Sequence, residues 1–219
     1  MRNLNRTWWL SGLVIAGVAL SGCEAPDEAD PQDEWWNALQ EHCGEAFAGE
    51  LTQYEDEDDG WLGVDVVMHI RECSESEIRI PLHVGDDHSR TWVLTRTGEG
   101  IELKHDHRYP DGSEETIHWY GGTTTDPGTA TRQEFPAGDY SRELFETEGN
   151  PDSAENTWYM EIHPGEEFVY GLTRFNRDFE ARFDLTSTVD EPRAPWAVEP
   201  EEDADDEDDD EDNDDNNDE

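Results

Sequence analysis

The chain has 219 residues and a formal net charge of −44, from 58 acidic residues against 14 lysines and arginines. Most of the acids lie before Glu199, so the region with enough apolar residues to fold is itself strongly acidic. This charge argues against a nucleic-acid partner, because such binding neutralises phosphates with Lys and Arg. It also argues against an electrostatic contact with an anionic membrane surface.

The N-terminal sequence MRNLNRTWWLSGLVIAGVALSGC has the order of an export signal. Arg2 and Arg6 make the start positive, and an apolar stretch of about 13 residues follows. A membrane-spanning helix needs about 20 residues, so the stretch fits a signal peptide better than a span. It ends in Leu-Ser-Gly-Cys at positions 20–23, which resembles the lipobox of bacterial lipoproteins.

The lipobox resemblance implies an address for the protein. Residues 1–22 would be a signal peptide that is removed, and Cys23 would carry the lipid that tethers the chain to a membrane of the cell envelope. Residue 24 is Glu rather than Asp, which by the same resemblance favours the outer membrane. The alternative is an ordinary secretory signal that leaves Cys23 as a plain thiol.

A polar tether over residues 23–33 precedes a predicted helix. Asp33 is the expected N-cap, and Gly44 stands where a helix-ending glycine belongs. Four residues between them recur at helical spacing, namely Trp35, Trp36, Leu39 and Cys43.

Cysteine usage predicts one disulfide. With Cys23 lipidated, Cys43 and Cys73 are the remaining pair, and an exported protein lies in an oxidising compartment. A Cys43–Cys73 bond would therefore be expected, with two free thiols as the alternative.

After the helix, the period of the apolar residues changes to two, which is typical of β-strands. A further short helix is predicted at Ser141–Glu148. Turn residues separate the predicted strands, as at Pro110–Ser113 and Asp126–Gly128. The predicted strands are Phe47–Tyr54, Leu62–Ile70, Ile78–Val84, Arg90–Thr97, Ile101–Tyr109, Thr116–Tyr120, Arg132–Phe135, Thr157–His163, Phe168–Arg174 and Phe179–Thr186.

These elements predict an all-β fold, an antiparallel up-and-down β-barrel of about eight to ten strands over residues 34–197. A β-sandwich is the alternative. The acidic residues 198–219 contain too few apolar side chains to fold and are expected to be disordered. The strand count with an N-terminal helix resembles lipocalin-like barrels.

The body of the chain also resembles a family of uncharacterised exported bacterial proteins. The resemblance spans about Trp36 to Val189 and is carried by IRIPLHVGDDHSRTWVLTRT, LKHDHRYPDG, YGGTT and TRQEFPAGDYS. It implies no activity and assigns no functional residue.

Three histidines form a candidate metal site. His105 and His107 share one strand face, and a loop of two or four residues centred on Asp111 and Gly112 would place His118 opposite His105. Three imidazoles on one face can hold zinc with one open position. A loop of odd length would place His118 on the other face, and histidines bonded within a polar patch are the simpler alternative.

No catalytic residue is assigned. Ser89, His88 and Asp87 are adjacent in one loop and lack the separate elements that build a hydrolytic triad. The leading interpretation is a lipid-anchored envelope protein whose barrel binds a small hydrophobic ligand or an envelope partner. A zinc-binding protein or zinc enzyme and a structural envelope lipoprotein are the alternatives.

Overall fold

The computed structural model describes residues 29–55 and 60–196. The predicted signal peptide, the predicted lipidation site Cys23, most of the predicted tether and the acidic residues 198–219 lie outside the described residues. Two α-helices, α1 (Pro31–Gln40) and α2 (Asp139–Thr147), accompany an antiparallel β-sheet, and a short 3₁₀ helix spans Pro151–Glu155.

Among the described residues, no helix combines the length and apolar character needed to cross a membrane.

Within the described part of the chain, the sheet has eleven strands. In chain order they are β1 (Ala46–Gln53), β2 (Val66–His69), β3 (Glu72–Cys73), β4 (Glu77–Val84), β5 (Asp87–Thr97), β6 (Gly100–His107), β7 (Tyr120–Thr123), β8 (Arg132–Pro136), β9 (Thr157–His163), β10 (Glu167–Arg174) and β11 (Arg177–Asp184).

Ten of the strands form a nearly closed barrel. Their order is β7-β6-β5-β4-β2-β1-β11-β10-β9-β8, while β3 pairs with β4 beside this path. Neighbours in the barrel follow one another along the chain, apart from the short β3 that is bypassed between β2 and β4, until β1 pairs with β11. The chain therefore runs up and down. The predicted all-β up-and-down barrel with an N-terminal helix is confirmed.

The barrel closes between β7 and β8 without a continuous ladder. The Gly138 amide donates to the Gly121 carbonyl at 3.0 Å. At the start of α2, the Ser141 hydroxyl bonds both the amide and the carbonyl of Gly121 at 2.7 Å. A Cβ on Gly122 would lie 1.8 Å from the Pro136 carbonyl oxygen, so this approach requires glycine.

Helix α1 closes one end of the barrel. Its side chains Trp35, Trp36 and Leu39 are fully buried against the inner face of the strands. The helix begins earlier than expected, because the N-cap is Asp30, whose carboxylate accepts the Gln32 amide at 2.9 Å. The predicted N-cap Asp33 instead forms an ion pair with Arg96.

The predicted Cys43–Cys73 disulfide is confirmed. The two Cα atoms lie 6.2 Å apart across 30 residues of chain, within the range that a disulfide spans. Cys43 follows α1 and Cys73 ends β3, so the bond fastens the turn after the helix to the side of the barrel. Gly44 has a positive φ of 86°, but α1 ends at Gln40, before the turn that Gly44 completes.

The strand expected at Leu62–Ile70 is shorter in the structure. Strand β2 begins only at Val66, and Leu62 and Val64 are exposed. Gly63 adopts a φ of 75° and turns the chain there. The alternation of apolar residues in the sequence therefore extends over a turn as well as the strand, and this made the predicted strand too long.

The segment 189–196 crosses the outside of the barrel after β11. At its start the Val189 amide donates a hydrogen bond to the Ala46 carbonyl at 2.9 Å. The segment then passes Arg71, which pairs with Glu191 at 3.4 Å. It ends where the Trp196 amide donates to the His88 carbonyl at 3.1 Å. This segment therefore runs from Ala46 on β1, past Arg71, to His88 on β5.

Candidate functional site

A cavity of about 410 Å³ opens at the end of the barrel opposite α1. The α1 end is filled by packed side chains, including those of the helix itself. At the other end the strands carry aromatic side chains inward without filling the space. Seven Trp, Tyr and Phe rings line the cavity, namely Trp61, Trp92, Tyr120, Phe145, Trp158, Tyr170 and Phe179.

The aromatic rings of the cavity contact one another. Trp92 and Tyr170 have ring centroids 4.3 Å apart, and Tyr120 is stacked on His105 at 4.5 Å. Trp158 lies 5.1 Å from His105. Such mutual packing fixes the rings and forms a rigid, apolar wall for the cavity.

His105 is the polar centre of this wall. Its Nδ1 lies 3.1 Å from the Tyr120 carbonyl and its Nε2 lies 2.8 Å from the Tyr170 hydroxyl. A carbonyl only accepts, so Nδ1 carries the proton and the Tyr170 hydroxyl donates to Nε2. Burial lowers the pKa of His105 to about 3, and the imidazole is therefore neutral at physiological pH.

Basic side chains form the rim above the aromatic wall. Arg90 lies directly opposite His107 on β5 and β6, and Arg174 lies directly opposite Arg177 on β10 and β11. All four line the cavity. Each of the four lies two residues along its strand from a deeper lining residue: Arg90 from Trp92, His107 from His105, Arg174 from Leu172 and Arg177 from Phe179. Side chains two residues apart on a strand point to the same face, so all four point into the barrel.

Neighbouring groups hold the rim arginines in place. Arg90 pairs with Asp87 and covers the Trp61 ring at 5.4 Å. Arg174 donates to the Asn156 side-chain oxygen at 3.1 Å, and it lies 3.4 Å from the Ser153 hydroxyl.

Arg177 lies 3.9 Å from a carboxylate oxygen of Glu55, and only 11% of its side chain is exposed. Among the described residues that line the cavity, none is Asp or Glu.

His107 belongs to the rim but is neutral. Burial, followed by the charge of Arg90, lowers the pKa of His107 to about 4. Its Nε2 lies 3.2 Å from the Tyr120 hydroxyl. The positive charge of the rim therefore resides on the three arginines at neutral pH.

The cross-strand pairing on which the zinc prediction depended is wrong. His105 faces Tyr120 on β7, not His118. The expected strand Thr116–Tyr120 begins only at its last residue, because Trp119 has a φ of 58° and turns the chain. The Glu115 amide donates a hydrogen bond to the His107 carbonyl, and the Trp119 amide donates one to the His105 carbonyl. Residues 116–118 therefore bulge out of the ladder.

The His118 ring forms hydrogen bonds with the main chain of His107 and does not join His105 in a common site. Its Nδ1 lies 2.9 Å from the His107 carbonyl oxygen and 3.1 Å from the His107 amide nitrogen. Both ring nitrogens of His105 already have hydrogen-bond partners. Within residues 29–55 and 60–196, no group of three His, Cys, Asp or Glu side chains is arranged to hold a metal ion.

A second histidine cluster, which the sequence analysis did not identify, lies on the outside of the barrel. The Nδ1 atoms of His83 and His88 are 2.6 Å apart, and Trp196 packs edge-on against His88 at 6.3 Å. Burial and the neighbouring His88 lower the pKa of His83 to about 4. This pair supports the packing of segment 189–196 and is separate from the cavity.

The residues of the Ser89 loop also have structural contacts. The Ser89 amide donates to an Asp87 carboxylate oxygen at 2.9 Å, while His88 faces His83. These contacts close the turn between β4 and β5.

The rim arginines were also missed, although their positions are readable in the sequence. Arg90-Thr-Trp92, Leu172-Thr-Arg174 and Arg177-Asp-Phe179 each place an arginine two residues from an apolar residue. In a strand, that spacing puts both side chains on one face.

Neither a protein-family model, nor a curated protein, nor a solved structure matches this chain.

Proposed function

We propose that the protein is a lipid-anchored cell-envelope lipoprotein, placed at the outer membrane, whose barrel binds a small hydrophobic ligand. The lipobox sequence ending at Cys23 supports the anchor. The Cys43–Cys73 bond fits an exported protein, because disulfides persist in oxidising compartments.

The half-open barrel is the observation that carries the binding function. A cavity of about 410 Å³ falls within the usual range of ligand sites, about 300–1,000 Å³. Its aromatic wall supplies apolar contact, and lining residues such as Asn150 and Ser153 supply a few polar groups. A purely structural lipoprotein has no need of such a cavity, so this feature favours ligand binding over that alternative.

The position of the mouth fits an anchored receptor for a soluble ligand. The described chain begins at Ala29, next to α1 at the closed end of the barrel. A lipid attached through Cys23 would therefore be connected to the closed end. The cavity mouth lies at the opposite end, where a ligand can enter from the aqueous phase.

An uncharged fluorescent probe tests the binding function. N-phenyl-1-naphthylamine brightens in apolar sites, and Trp92 and Trp158 in the cavity wall are suitable energy donors. We expect saturable binding with a Kd of about 0.2 mM, since burying about 200 Å² of apolar surface contributes about 5 kcal/mol.

Two variants locate the probe. Leu172→Trp fills the cavity from its wall, and Asn150→Trp narrows it from an exposed lining position whose side chain makes no cap bond. Both should weaken probe binding while leaving the thermal transition cooperative. Undiminished binding in both folded variants, or no saturable binding by the original chain, would exclude the cavity as a ligand site.

A further inference from the structure

We propose that the cavity selects a ligand with a neutral hydrogen-bond donor, a hydroxyl or an N–H group on an apolar body, and that the Tyr120 hydroxyl oxygen accepts that donor. This inference rests on the proposed function and names its ligand class. The selection follows from the way the polar groups of the aromatic wall use their protons.

The protons of His105 and Tyr170 are used within the wall itself. His105 donates from Nδ1 to the Tyr120 carbonyl at 3.1 Å, and the Tyr170 hydroxyl donates to His105 Nε2 at 2.8 Å. The two residues are only 4% and 7% exposed. Neither of them therefore offers a donor to a ligand in the cavity.

The proton of the Tyr120 hydroxyl is directed to His107. Nδ1 of His107 lies 3.6 Å from a carboxylate oxygen of Glu115. A carboxylate oxygen attracts a proton and repels a lone pair, so the neutral imidazole carries its proton on Nδ1. Nε2 is then the acceptor for the Tyr120 hydroxyl at 3.2 Å. Burial raises the pKa of Tyr120 to about 12, so the hydroxyl keeps its proton at neutral pH.

The Tyr120 hydroxyl oxygen retains an unused acceptor position. A tyrosine hydroxyl can accept a hydrogen bond while it donates one, and among the described residues no group donates to this oxygen. Tyr120 lines the cavity and is only partly buried, so a ligand can reach it. A ligand with a donor satisfies this oxygen, whereas a ligand with only acceptors sets one lone pair against another.

The location of this oxygen determines where the donor lies on the ligand. The Tyr120 ring is stacked on His105, and its hydroxyl reaches His107. His107 is two residues along β6 from His105, about 7 Å nearer the mouth. The donor would therefore lie between the aromatic wall and the rim, with the apolar body deeper in the cavity against rings such as Trp92 and Trp158.

A matched pair of compounds tests the ligand class. 2-Naphthol and 2-methoxynaphthalene share the same rings and the same oxygen, but only the first carries a donor. Displacement of N-phenyl-1-naphthylamine from the full chain gives both affinities, with the Kd of the probe determined for each variant. We expect 2-naphthol to bind about fivefold more tightly, the usual effect of one net hydrogen bond. The methyl group adds apolar surface, which alone would favour the ether.

Tyr120→Phe locates the acceptor. The variant keeps the ring that is stacked on His105 and removes only the hydroxyl. It should weaken 2-naphthol binding about fivefold and change binding of 2-methoxynaphthalene less than twofold. Tyr109→Phe is the matched control, because Tyr109 is exposed and lies outside the cavity lining. The control should change neither affinity.

His107→Leu tests the direction of the Tyr120 proton. This variant removes the acceptor that holds the proton, so the Tyr120 hydroxyl becomes free to donate to the ether oxygen of 2-methoxynaphthalene. The preference for 2-naphthol should therefore fall below about twofold. A cooperative thermal transition shows that each variant is folded.

The outcomes separate the two proposals. Saturable binding of both compounds without a preference for 2-naphthol would overturn the donor class and leave the ligand-binding barrel intact. An undiminished preference in folded Tyr120→Phe or folded His107→Leu would also overturn it, since another group would then accept the donor. Absence of saturable binding by either compound and by the probe would overturn both proposals together.

Discussion

Arg174 and Arg177 face each other across the hairpin of β10 and β11, and both side chains line the mouth of the cavity. The turn between them includes Asn176 with a φ of 59°. The hairpin thus places two guanidinium groups side by side at the mouth of the cavity.

A double-mutant cycle measures the cost of this pair. Arg174→Gln, Arg177→Gln and the double variant should give an unfavourable coupling energy of about 0.2–1 kcal/mol in the absence of ligand. The cycle cancels the other contacts of each arginine, so only their mutual effect remains. Urea denaturation at low salt provides the free energies, and a favourable coupling would contradict the interpretation of the pair.

Removing the disulfide should destabilise the barrel. Cys43 and Cys73 are separated by 30 residues, and a loop of that size corresponds to about 3.6 kcal/mol of chain entropy. The double variant Cys43→Ser/Cys73→Ser should lower the urea midpoint accordingly. Reduction of the unaltered protein is the control and should give the same midpoint. Equal midpoints with and without the bond would show that it does not support the fold.

Stability should fall as the pH is lowered from 7 to 5. Burial lowers the pKa of His105 to about 3 in the folded chain, whereas an unfolded histidine titrates near 6.5. The unfolded state therefore takes up the proton first, and His105 alone removes about 2 kcal/mol of folding stability by pH 5. Carboxylates remain mostly ionised in this window and contribute little.

His105→Gln isolates that contribution. The variant should be less stable at pH 7, because it disturbs the bonds to Tyr120 and Tyr170. Its stability should nevertheless fall less steeply between pH 7 and 5 than that of the original chain. Parallel curves from urea titrations at each pH would refute the assignment of a buried neutral imidazole.

Lipid attachment should depend on Cys23. In a bacterial host, Cys23→Ser should abolish incorporation of labelled palmitate and move the protein from the membrane fraction to the soluble fraction. Cys43→Ser is the matched control, because that cysteine lies in the folded domain. Membrane retention of the Cys23→Ser chain without lipid would argue for a different anchor.

The sequence was informative where a pattern depends on neighbouring residues. The two-residue alternation in Phe168–Arg174 and Thr157–His163 predicted strands β10 and β9 with the bounds nearly as observed. Sequential strands with short turns then pointed to an up-and-down barrel. The cysteine pair followed from the compartment and from elimination, without any knowledge of the fold.

The sequence was less informative where the backbone conformation determines which residues face each other across strands. The positive φ of Trp119 and the bulge after Glu115 displaced His118 from the position opposite His105. Nothing in the local sequence pattern predicts a positive φ at a tryptophan, a residue in which that conformation is uncommon. The cavity likewise depends on how side chains from many strands fill a shared space, which a pattern along one strand does not record.

The chain can be cut between β7 and β8 without breaking a strand pair. These strands are consecutive in the chain, yet Gly121 meets Gly138 and Ser141 there without a strand ladder. Cleavage of the connecting loop near Asp126 would leave every strand pair intact. The pieces on either side would still be joined by the β1–β11 ladder and by α1, which contacts β8 and β9. Two separately expressed fragments divided in this loop should therefore reassemble into the barrel.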